Sequence, residues 1–229
     1  MKIGILQTGH SPDELRADQG DYADLFQRLL AGHGFEFRTW SVVDNEMPDS
    51  VTEADGWLIT GSRHGVYEDH PWIPPLEAFI RAIYADGRPL VGVCFGHQIV
   101  AQALGGRVEK YAGGWAVGRQ EYTLNGRTVP LNAWHQDQVT ALPPDTPVTV
   151  IGSHPFCDYA ALLYDSRILT VQPHPEFGAD FIDGLIRTRG RGMVPDPLLK
   201  QAANRLDQPV ANDVLAGQIA AFFKQAGAT

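Results

Sequence analysis

Apolar and polar positions in the first hundred residues predict strands and helices in turn. KIGILQTG (2–9) is a short apolar strand ending in glycine. DYADLFQRLLAGHG (21–34) places Tyr22, Leu25, Phe26, Leu29 and Leu30 at helical spacing and stops at Gly32 and Gly34. FEFRTWSVV (35–43) alternates like a strand, and GWLITGS (56–62) is an apolar strand ending in small residues. WIPPLEAFIRAIYADG (72–87) reads as a helix opened by prolines and closed by Gly87. PLVGVC (89–94) is a strand, and FGHQIVAQALGG (95–106) is a helix that begins directly after it. Continuous apolar strands alternating with helices predict a parallel sheet covered on both faces.

From about residue 107 the pattern changes. RVEKYAGG, AVGRQEYTL, RTVPLNAWHQDQVTAL, PVTVIGSH, YAALLYD and RILTVQPHPEF read as strands or hairpins on short turns. They predict a set of antiparallel strands inserted between the α/β half and the last helices. Those helices are an amphipathic ADFIDGLIRT (179–188), a proline-broken PDPLLKQAANRL and a final NDVLAGQIAAFFKQ (212–225). With no repeat, low-complexity tract or linker, residues 1–229 are expected to form a single domain.

Composition narrows the function classes. The apolar fraction is 44% and the charged fraction 20%, as in soluble globular proteins. The net charge of −9 disfavours nucleic acid and anionic membrane as partners, and RTRGRG (187–192) is the densest basic cluster. The apolar run in MKIGILQTGH is too short for a signal peptide, and no segment approaches a bilayer span. Two cysteines do not make a disulfide framework, and a free thiol is easiest to keep reduced in the cytoplasm, the expected location.

One of the two is Cys94, in Gly92-Val93-Cys94-Phe95-Gly96. A nucleophile elbow has this pattern, because side chains two residues either side would clash at a sharp strand-to-helix turn. The helix start would set its positive end and free N–H groups beside the sulfur. A packed thiol between glycines needed for close contact is the alternative. Cys157, in SHPFCDYAAL, lacks flanking glycines and a helix start, and is expected to be structural.

A nucleophilic cysteine needs a base, and the base needs orienting. In TVQPHPEF (170–177), His174 lies at the end of an apolar strand between Pro173 and Pro175, and Glu176 follows two residues on. In extended chain the two face the same side, so Glu176 can accept one imidazole N–H and aim the other nitrogen. His-x-Glu alone would read as a surface turn; paired with an elbow cysteine at another strand end, the two signals reinforce each other.

VGVCFGHQ, WHQDQVTALP and VQPHPEF, in that order, resemble the three signature blocks of class I glutamine amidotransferase domains. The resemblance runs over nearly the whole chain, from the KIGILQTG strand onward. It implies a flavodoxin-like, three-layer α/β fold with a mostly parallel central sheet and an additional antiparallel strand set. It also implies a catalytic triad of Cys94, His174 and Glu176. In the family the thiolate attacks the γ-carboxamide carbon of glutamine, ammonia leaves, and water hydrolyses the γ-glutamyl thioester. One oxyanion-hole N–H would come from Phe95, the other from ITGSRHG (59–65). Relatives often carry two glycines and a proline in that loop; here Gly61-Ser62-Arg63 leaves the donor as Gly61 or Ser62. Gln98 resembles the glutamine that helps hold the substrate's α-amino acid end, and Trp134 and His135 match the segment whose backbone meets that end. His97, His135 and His64 could each be polar turn residues, the reading favoured for His64. No metal site is expected, because no pair of histidines has helical or Cys-x-x-Cys ligand spacing.

No GxxxxGK[ST] phosphate loop appears, and the segment after Glu176 reads as helices, so no ATP-handling synthase domain and no cofactor are expected. Three readings follow. The chain is a glutaminase subunit serving a separate synthase, or a stand-alone hydrolase similar to the plant γ-glutamyl peptidases. A non-catalytic binding protein that kept the fold is the third. The first two take a small glutamine or γ-glutamyl substrate and differ only in the leaving amine.

Overall fold

The computed structural model describes residues 1–226. Its sheet has nine strands, and the first five in spatial order are parallel. These are β2 (Glu36–Trp40), β1 (Lys2–Leu6), β3 (Gly56–Ile59), β4 (Leu90–Val93) and β11 (Ile168–Val171). With β11 in the fifth place, the order 2-1-3-4-5 is that of flavodoxin-like doubly wound sheets, which bind ligands beyond the carboxyl ends of their strands.

The strands are apolar on both sides because both faces are covered. Ile3 and Ile5 of β1, Leu58 of β3, and Val91 and Val93 of β4 pack in one core. Phe26 from α2 (Tyr22–Leu29) and Ile219 and Phe223 from α7 (Asn212–Ala226) belong to it. The intervening positions Leu6, Trp57, Ile59 and Leu90 face the other way. They pack with Leu76 and Ile80 of α3 (Ile73–Asp86) and with Ile99 and Val100 of α4 (Phe95–Ala103). Proline in the first turn and Gly87 at φ 82 bound α3, as its sequence predicts.

The antiparallel strands form no separate layer. From β11 the same sheet continues antiparallel through β10 (Cys157–Tyr164), β9 (Val148–His154), β6 (Ala116–Leu124) and β7 (Arg127–His135). Only β5 (Arg107–Lys110) and β8 (Asp137–Ala141) pair apart from it. The run RTVPLNAWHQDQVTAL is therefore two strands in two sheets, with His135 and Gln136 at the break. Sequence alternation also passes over α1 (Asp13–Gln19), which is short and polar and buries only Leu15. The C-terminal part adds α5 (Ala179–Leu185) and α6 (Asp196–Ala203). No described helix is long and apolar enough to cross a membrane.

Candidate functional site

Cys94 stands between β4 and α4 at φ 53, ψ −102, a backbone conformation L-residues rarely adopt. Its N–H donates to Val171 O at 2.9 Å, and its carbonyl accepts the Gln98 N–H of α4 at 3.0 Å. The flanking glycines have a steric cause. A Cβ on Gly92 would lie 2.5 Å from Gly96 O, and one on Gly96 would lie 2.4 Å from Ile59 O. Both would force α4 off the strand ends. The Phe95 N–H, first in α4, has no intrahelical acceptor available to it.

His174 follows β11, beside the end of β4. Asn132 on β7 pins its turn from both sides: its carbonyl accepts the His174 N–H at 2.8 Å, and its Nδ2 donates to Phe177 O at 2.9 Å. The imidazole lies flat on the Phe177 ring, 4.0 Å between centroids at 6°. Its Nδ1 is 2.6 Å from Glu176 Oε1, with side-chain exposures of only 4% and 1%. Burial by itself would push the imidazolium down. The charge of Glu176 and that of Cys94, with hydrogen bonds to both, outweigh burial and raise it to about 10. A Cβ on Gly61 would lie 2.9 Å from His174 Cε1 and 3.8 Å from Cys94 Cβ, so cysteine, histidine and the loop after β3 converge.

That loop is oriented by two buried threonines. Gly61 O accepts from Thr8 Oγ1 at 3.2 Å and Thr60 Oγ1 at 3.0 Å. In a trans peptide the following N–H points opposite to that carbonyl. The Ser62 N–H is therefore directed away from the threonines.

Cys94, His174, Gln98, Trp134, His135 and Ser62 all line one cleft of about 350 Å³, within the size range of small-molecule sites. Gln98 spends both N–H donors within the protein, on Asp137 O at 2.8 Å and Gln172 Oε1 at 3.1 Å. Its acceptor Oε1 is the end left for a ligand. His135 and His97 are not turn residues. His135 ends β7, buried, with Nδ1 3.2 Å from Asp137 O; His97 is inside α4, with Nδ1 2.8 Å from Thr170 Oγ1. Burial lowers each to about 3, so both are neutral. His64 does lie in a loop, lining the cleft. Cys157 packs in the core, where burial pushes its thiol up to about 12.

Among the cleft residues outside the sequence motifs are Tyr22 and Arg189. Arg189 donates to Tyr22 Oη at 2.9 Å and to His10 O at 2.6 Å, from the π-helical turn Ile186–Gly190 that follows α5. The sequence displays Arg189 only as part of a basic cluster. Tyr22 is 167 positions away, and no local pattern joins them.

A model of the class I glutamine amidotransferase family matches residues 21–182. A glutamine amidotransferase-like protein of Schizosaccharomyces pombe is 29% identical over 96% of this chain and 97% of its own length. γ-Glutamyl peptidase 4 of Arabidopsis thaliana is 30% identical over 73% of this chain and 72% of its own length. The crystal structure of a glutamine amido transferase from Methylobacillus flagellatus shares the fold, with a TM-score of 0.76 at 21% identity. That match covers 98% of this chain and 94% of the solved one.

Proposed function

Because the chain belongs to the class I glutamine amidotransferase family, we propose that it acts as one domain hydrolysing a γ-glutamyl amide through a thioester on Cys94. The observation that carries this reading is the pairing of an elbow cysteine with a buried histidine–glutamate pair on one cleft. In the first step His174 holds the proton of the Cys94 thiol, and the sulfur attacks the γ-carbonyl carbon. The carbonyl oxygen takes the negative charge and is met by the N–H groups of Phe95 and Ser62. Ser62 is preferred to Gly61 because Ser62 lines the cleft, and its N–H points away from the Gly61 carbonyl that Thr8 and Thr60 hold.

The C–N bond then breaks, and the imidazolium gives its proton to the leaving amine. Water next attacks the thioester carbon with His174 taking its proton, the C–S bond breaks, glutamate is released and Cys94 is regenerated. Glu176 holds Nδ1–H throughout and stabilises the imidazolium, which its burial within 2.6 Å of the ring supports. Gln98 Oε1 is suited to the substrate ammonium, with Trp134 and His135 beside that end.

Two leaving amines fit this chemistry. Ammonia passed to a separate synthase is one. An amino acid or peptide, released as by a γ-glutamyl peptidase, is the other. Arg63, Lys110 and Arg189 line the cleft of a chain whose net charge is −9, and such cations suit a leaving group that carries a carboxylate. The deciding experiment is a hydrolysis panel of glutamine, γ-glutamyl-cysteine, glutathione and folate-type γ-glutamyl conjugates on the purified chain. Turnover of the peptides without a partner is expected, with loss of about 10³-fold or more in Cys94→Ser. Glutamine turnover appearing only with a synthase would assign the other leaving amine. Unchanged turnover in folded Cys94→Ser would sink the mechanism.

A further inference from the structure

The loop between β3 and α3 carries a second cluster at the rim of the cleft. His64, Glu68 and His70 bring their ligand-type atoms within 4.8 Å of one another. His64 Nδ1 lies 3.1 Å and His70 Nε2 lies 2.8 Å from the same oxygen, Glu68 Oε2. The imidazoles meet edge to face with centroids 4.2 Å apart. Buried Trp72 backs both rings, stacked on His70 at 5.6 Å and 11° and edge-on to His64 at 6.0 Å. The backbone is held as well: Glu68 N–H donates to Gly65 O at 3.1 Å, and Ile73 N–H to His70 O at 3.1 Å.

We propose that His64, Glu68 and His70 form a binding site for a divalent transition-metal ion, with zinc as the best chemical match. Two imidazoles and a carboxylate are the donors that borderline cations select, and three protein ligands leave a fourth position for water or a cleft ligand. Tetrahedral bonds of about 2.0–2.1 Å set donor atoms roughly 3.3 Å apart. The two histidine–carboxylate separations, 3.1 and 2.8 Å, are within about half an ångström of that, and all three donor atoms lie within 4.8 Å of one another. Each nitrogen that now faces Glu68 would turn to the cation, with the ring proton moving to its other nitrogen.

Histidine spacing hides this site. The two histidines are six residues apart on a non-helical loop, and the carboxylate between them completes the set only once that loop folds. His64 is two residues beyond Ser62, so a bound cation would brace the loop that carries the proposed oxyanion donor. That consequence rests on the reading above; the site does not.

The test is a Co²⁺ titration of the metal-free full chain in a Cys94→Ser background, followed by visible absorption, with Zn²⁺ competition. One equivalent should bind with the d–d bands of a four- or five-coordinate site, and Zn²⁺ should displace it. The signal should be lost in His64→Asn/His70→Asn and in Glu68→Gln, with circular dichroism checking the fold. If the histidine pair proves needed for folding, the exposed Glu68→Gln alone gives the reading. Absence of one-equivalent binding, or undiminished binding in folded Glu68→Gln, would overturn the site.

Discussion

His174 and Glu176 share a 2.6 Å hydrogen bond from which solvent is almost entirely excluded. Glu176 Oε2 has no hydrogen-bond partner among the described residues, so the imidazole is the carboxylate's one compensation for burial. The raised His174 follows from that charge together with Cys94.

Glu176→Gln keeps the shape and removes the charge. Turnover is expected to fall by about 10²–10⁴-fold, as when the orienting carboxylate of a triad is neutralised. The His174 titration, followed by NMR of labelled imidazole, should move downward from about 10. Full activity with an unmoved titration would show that Glu176 does not act through the ring.

Gly61→Ala tests the convergence of the loop with the pair. The new Cβ would sit 2.9 Å from His174 Cε1, and the ring is backed by Phe177 at 4.0 Å. We expect a loss of about 10²-fold in kcat from misplacement of the base, and roughly 1–3 kcal/mol of stability from overpacking. Gly217→Ala, in open space on α7, is the control and should be neutral or stabilising by about 0.5–1 kcal/mol. Kinetics and urea denaturation of the two variants read both effects, and wild-type kcat in Gly61→Ala would refute the contact.

Stability should peak near the ordinary histidine value and fall on both sides. His97 and His135 are held down to about 3 by burial. As pH drops from about 6.5 toward 3, the unfolded chain binds protons that the folded one refuses, at a cost of up to about 1.4 kcal/mol per pH unit for each ring. His174 is shifted the other way: its contribution is complete below its ordinary 6.5 and is lost as pH rises toward 10. Urea midpoints measured from acid to alkaline pH should show both limbs, and His97→Asn should make the acid limb shallower. An acid limb identical in His97→Asn would contradict the assignment.

The sequence by itself determined the parallel half of the fold, the elbow and the His174–Glu176 pair. These are local: an apolar run buried on both faces, glycines at a turn that admits no side chain, and two residues on one side of an extended segment. Pairing of strands far apart in sequence is another matter. That β10, β9, β6 and β7 continue the same sheet, while β5 and β8 leave it, depends on long-range register that alternation does not encode. For His97 and His135 a polar turn stayed open as an alternative, because a buried, neutral histidine has no sequence signature. Arg189 on Tyr22, and His64 and His70 around Glu68, exist as clusters only in the folded chain. Local sterics and burial periodicity are written residue by residue; which side chains from distant segments or along a folded loop meet is decided by the packing of the whole.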